Sequence, residues 1–83
     1  MRRHEDIPNL LAAFEKELAK APEGIRTLCE NRMVDARPHI SALNTRKARA
    51  YLEGLENELK HAKAPVELQK TFDALFDTIW YFT

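Results

Sequence analysis

Ile7-Pro8-Asn9-Leu10-Leu11-Ala12-Ala13-Phe14-Glu15-Lys16-Glu17-Leu18-Ala19-Lys20-Ala21-Pro22 carries the pattern that the rest of the chain repeats. Ile7, Leu10, Leu11, Phe14, Leu18 and Ala21 recur at steps of three and four, which places them on one face of an α-helix. Glu15, Lys16, Glu17 and Lys20 fall on the other face. A proline in the first turn is harmless, because its missing N–H has no intrahelical partner there. Pro22 closes the segment by disfavouring helical backbone in the residue before it. The stretch therefore reads as an amphipathic helix over residues 7–20, ended by proline.

The same grammar repeats outward. The four prolines, Pro8, Pro22, Pro38 and Pro65, stand as punctuation in a chain with only two glycines. Ile25, Leu28, Cys29, Arg32, Met33 and Ala36 keep helical spacing and predict a second helix over 23–36, with Arg32 at its apolar margin and Arg37-Pro38 as its end. His39 to Leu43 is expected to be a short helical turn or an ordered connection. Asn44 or Thr45 suits the N-cap of a third helix over 45–62, whose stripe is Ala48, Tyr51, Leu52, Leu55, Leu59 and Ala62. Gly54 inside it is expected to mark a close helix approach. Lys63-Ala64-Pro65 breaks the chain again, and Leu68, Phe72, Leu75, Phe76 and Ile79 define a last helix over 65–81. No segment alternates like a strand. The expected fold is all-α: a small four-helix bundle of two αα-hairpins, in a single domain over 1–83. Residues 15–22 and 56–65 echo one another, which is read as shared helix-end chemistry rather than a repeat.

Composition agrees with folding. Apolar residues are 45% and charged residues 31% of 83, enough for one core and too apolar for a disordered chain. Thirteen basic and thirteen acidic residues cancel, so no whole-molecule field draws in nucleic acid or an anionic membrane. The start Met1-Arg2-Arg3-His4-Glu5-Asp6 leads into no apolar leader, and the longest apolar run, Ile79 to Phe82, is too short to span a bilayer. With Cys29 as the single cysteine, a reducing compartment, most simply the cytoplasm, is expected.

Catalytic patterns are missing. There is no Gly-rich phosphate loop, no H-E-x-x-H and no C-x-x-C, and Thr27, Ser41 and Thr45 have no base that spacing would place beside them. His4, His39, His61 and Cys29 lack ligand spacing, so neither a metal nor a cofactor is expected, and Cys29 reads as a small buried hydrophobe. Asp73 and Asp77, four apart, read as a solvated face rather than a cation site.

Two surface features remain. Arg26, Arg32, Arg37, Arg46, Lys47 and Arg49 face only Glu30 and Asp35 within residues 26–49, a local excess of +4. Arg46, Lys47 and Arg49 open the third helix, where cations oppose the helix dipole; pairing of Arg49 with Glu53 one turn on is expected to relieve this. No aromatic residue interleaves the run, which argues against base stacking. The second feature is Ile79-Trp80-Tyr81-Phe82, four large apolar residues that one helix cannot aim at one core. Their surplus can cap the chain's own core, meet a second copy or meet another protein.

The expectation that follows is a non-enzymatic interaction protein: an adaptor, inhibitor or assembly and regulatory factor, dimeric, docking on a partner protein. Ile79, Trp80, Tyr81 and Phe82 are its expected anchors, and Arg37, Arg46, Lys47 and Arg49 a secondary electrostatic or phosphate site. The alternative is a nucleic-acid-binding regulator whose third helix enters a groove. Zero net charge and Glu53, Glu56 and Glu58 further along that helix count against it.

Overall fold

The apolar stripe of the first segment is what the bundle is built around. The computed structural model describes residues 3–83, so Met1 and Arg2 of the N-terminal stretch read above lie outside the described residues. Within them the chain forms α1 (Asp6–Ala19), α2 (Glu23–Ser41), α3 (Thr45–Leu52), α4 (Leu55–His61) and α5 (Val66–Tyr81). α3 and α4 are two halves of one helix bent by 29°, so the architecture is a four-helix all-α bundle, with no strand among the described residues. α1 lies most extensively along α5, and α2 along α3. Ile7, Phe14 and Leu18 of α1 meet Leu68, Phe72, Leu75 and Ile79 of α5 in one continuous core with Cys29, Met33, Leu52, Leu55 and Leu59. The Phe14 and Phe72 rings sit 5.7 Å apart at its centre. Each such side chain contributes about 1.5–3 kcal/mol by leaving water.

α2 corrects one expected boundary. It does not stop at Arg37-Pro38 but runs through Pro38 to Ser41. Proline inside a helix costs about 3 kcal/mol through a lost hydrogen bond and a clash with the preceding turn. Here the ring sits on the exposed face, while Ala36 and Ile40 on the inner face are buried. Burial of the last turn offsets the local penalty. The segment from His39 to Leu43, expected as a short helical turn or an ordered connection, is the last turn of α2 and its tight cap: Leu43 takes φ 57°, its N–H donates to the Ile40 carbonyl, and the Asn44 N–H reaches the His39 carbonyl at 2.8 Å. This is the Schellman arrangement, usually built on glycine. Lys63 repeats it after α4, with φ 55°, its N–H on the Lys60 carbonyl and the Ala64 N–H on that of Leu59.

The third predicted helix is corrected as well. Glu53 is extended at ψ 132° and Gly54 adopts φ 90°, which breaks 45–62 into α3 and α4. Leu52 and Leu55, on either side, are both fully buried. A Cβ on Gly54 would meet nothing within 4 Å, so the glycine serves its backbone angle rather than a close helix approach.

Candidate functional site

Three helix ends converge at one pole of the bundle. α5 runs antiparallel to α3, so the C-terminal aromatics arrive beside the first turn of α3, and the start of α1 joins them. The Thr45 hydroxyl donates to the Phe82 carbonyl at 3.1 Å. The ring of His4 lies against Phe82 with centroids 3.9 Å apart. Beyond the end of α5, the Thr83 hydroxyl donates to the Ile79 carbonyl at 2.8 Å and the Thr83 N–H to that of Trp80 at 3.1 Å. The aromatic tail is thus tied to the bundle at several points.

Successive residues on a helix turn by about 100°, and the four apolar side chains divide accordingly. Ile79, expected among the contact anchors, is only 1% exposed and belongs to the core. Phe82 is half-buried, packed on the core cluster. Trp80 and Tyr81 stay outside at 44% and 59% exposure. Of the residues named in the sequence, these two form the exposed apolar surface at this pole, and Phe82 forms its base.

The cations come to the same place. The Arg49 guanidinium carbon lies 3.8 Å from the centroid of the Trp80 ring, whose opposite environment includes the edge of Phe76 at 6.3 Å. Arg49 makes no ion pair with Glu53, contrary to expectation, because the chain turns extended at Glu53 and carries that residue off the α3 helical track. α5 has no basic residue in its own last turn. Arg49 brings positive charge there from the neighbouring helix, which suits the negative end of the α5 dipole. The aromatic partner absent from the basic run in sequence is therefore supplied in space.

Arg46 and Lys47 are exposed and take part in no ion pair among the described residues. Arg46 is three residues before Arg49 and so shares its flank of α3, the one facing α5. Lys47 is four before Tyr51, whose ring stacks on His39 of α2 at 5.4 Å and 8°, and so shares the flank facing α2. Asn44 caps this turn, with its side chain accepting from the Lys47 N–H at 3.5 Å. Arg37, grouped with these cations in the sequence, lies elsewhere. It pairs with Glu15 of α1 at 2.6 Å and lines a shallow open concavity on α2 with Glu30, Asn31 and Val34.

Two groups away from this pole hold their protons more tightly than usual. Burial, reinforced by the negative charges of Glu30 and Glu58, pushes the Cys29 thiol up from 9.0 to about 11. Asp73 is raised from 3.8 by burial and by Glu56 and Asp77, with Lys60 opposing. Such a thiol is a poor nucleophile. Among the described residues no group of three or more His, Cys, Asp or Glu side chains is placed to hold a metal ion, and no helix is long and apolar enough to cross a membrane. No protein-family model matches the chain, and neither a curated protein nor a solved structure matches it.

Proposed function

We propose that this protein is a non-enzymatic interaction module that docks on another protein through the pole formed by Trp80, Tyr81, Phe82 and the first turn of α3. The observation that carries this reading is the meeting, at one site, of exposed aromatic surface with cations that form no ion pair among the described residues. Trp80 and Tyr81 remain outside although the chain has a core to receive them, and tryptophan, tyrosine and arginine are the residues enriched in binding hot spots. The helices behind them, joined by the Thr45 hydroxyl on the Phe82 carbonyl and by Arg49 over Trp80, provide a rigid platform, which lowers the entropy lost on docking. A regulatory, inhibitory or assembly role follows from a module whose contribution is contact alone. Its free, buried thiol suits a reducing compartment such as the cytoplasm.

Trp80→Asp is the direct test. The exposed ring is replaced by a charge that the Arg46 and Arg49 side chains tolerate, so the bundle folds while the apolar anchor is lost. In cell extracts the native chain is expected to migrate within a larger complex on size exclusion, and the variant as a free bundle. Migration of both as the same species would contradict the reading.

A homodimer is the competing use of this surface, since a small bundle gains stability by burying area in a second copy. Nucleic acid is a second reading, favoured by one observation: Arg49 on Trp80 places a cation and a stackable ring together. Against it, the cations occupy one turn of a short helix, and the bent continuation carries Glu53, Glu56 and Glu58.

A further inference from the structure

Among the described residues, five cations form ion pairs. Lys20 pairs with Glu17, Arg32 with Glu58, Arg37 with Glu15, Lys60 with Glu56 and Lys70 with Glu67. The first turn of α3 holds the densest group of cations outside these pairs. Arg46, Lys47 and Arg49 are three cations within four residues, at the positive end of their own helix, with no ion pair among the described residues. Like charges so placed raise the free energy of the unbound protein, and an anion brought to them relieves it. Next to them Trp80 and Tyr81 expose apolar ring surface, which suits an apolar side chain better than a second charge.

We infer that the partner presents an acidic segment with a bulky apolar residue, its carboxylates on Arg46 and Arg49 and its apolar side chain against Trp80 and Tyr81. This rests on the protein-docking reading above and adds the partner's chemistry to it. The two arginines share the flank next to Trp80, so they act together, while Lys47 on the opposite flank is an onlooker. Arginine suits the role because its planar fork holds a carboxylate through two hydrogen bonds while its face stays stacked on the indole. A second copy of this chain fits poorly. A two-fold contact through this pole brings a second set of the same cations into the interface, a like-charge burden that an acidic partner does not carry. A nucleic acid offers phosphates but asks for a longer basic track than one helical turn.

Selection from a displayed library of random peptides, run in parallel on the native chain and on Trp80→Asp, tests this. Peptides rich in Asp and Glu around a Trp, Phe or Leu are expected to be enriched by the native chain and not by the variant. A synthesised winner should bind about tenfold more weakly to Arg46→Glu, with little change for Lys47→Glu, and should weaken as salt rises from about 50 to 300 mM. Arg46 and Lys47 are both exposed, so neither change threatens folding. Enrichment of uncharged apolar peptides that need Trp80 but ignore Arg46→Glu would overturn the acidic partner and leave the docking surface standing. No enrichment over the variant, or preferential binding of a thymidine oligonucleotide, would overturn both.

Discussion

Arg49 lies over the face of Trp80, its guanidinium carbon 3.8 Å from the ring centroid, and joins the third helical segment to the last. A cation held over an indole and partly shielded from water contributes about 0.5–1 kcal/mol. Arg49→Ala is therefore expected to lower unfolding free energy by about that amount in urea titrations. Trp80 is the single tryptophan, so its emission reports the same contact, and the spectrum of the folded variant should differ from that of the native chain. Arg49→Lys should recover only part of both effects, because an ammonium cannot stack as the guanidinium does. Identical denaturation curves and spectra in all three chains would remove the contact from the account.

Gly54→Ala sets two effects against each other. Alanine is the better helix former by about 1 kcal/mol, and open space surrounds the site. The backbone at φ 90°, however, is strained for any residue with a Cβ, at about 1–2 kcal/mol or more. Strain wins, and the substitution should lower the midpoint of thermal unfolding. A raised midpoint would mean that α3 and α4 fuse into one helix when the glycine is removed.

Lys63→Gly runs the other way. Lys63 occupies a left-handed position after α4 that glycine adopts freely, and its exposed side chain forms no ion pair among the described residues. Stabilisation of about 0.5–1 kcal/mol is expected by chemical denaturation, the gain in the folded state exceeding the added freedom of the unfolded chain. Loss of stability would show that the lysine stem covers apolar surface at that corner.

Cys29 gives a pH signature. Its thiol is raised from 9.0 to about 11 in the fold, so above pH 9 the unfolded chain releases a proton that the folded one keeps. The corresponding stability is fully present below pH 9 and is lost as pH rises through about 11. Cys29→Ala should unfold more easily at neutral pH, through the cavity it leaves, yet show a shallower decline over that alkaline window. The native thiol should also react with disulfide reagents only at the rate of opening. Rapid modification of the folded protein would contradict its burial.

Much of the fold was legible in the spacing of apolar residues. Ile7 to Leu18 and Leu68 to Ile79 gave α1 and α5 nearly residue for residue, because the period of a helix and the proline breaks agree there. The break at Gly54 was hidden by the same rule: Ala48, Leu52, Leu55 and Leu59 keep steps of four, three and four straight across it, so the stripe looks continuous although the backbone is not. Pro38 misled in the opposite sense, since local propensity ends a helix that burial of Ile40 continues. At the candidate site, the surplus of Trp80 and Tyr81 was visible in four consecutive bulky residues, but which of them turn inward depends on helix phase. Ile79 was lost to the core for that reason. The meeting of Arg49 with Trp80 joins residues thirty-one apart in sequence and follows only from the antiparallel packing of α3 and α5.

Site-specific photo-crosslinking in living cells probes the docking pole itself, with the crosslinking amino acid at Tyr81 or, as the comparison, at Val66. Both positions are exposed on α5 and stand about 22 Å apart along its axis, so they sample the two poles from one helix. Irradiation is expected to give a discrete adduct with a different protein from position 81 and none from position 66. Adducts of equal yield from both positions, an adduct with a second copy of the chain, or one that nuclease digests would contradict the assignment of Trp80, Tyr81 and the first turn of α3 as a docking surface for another protein.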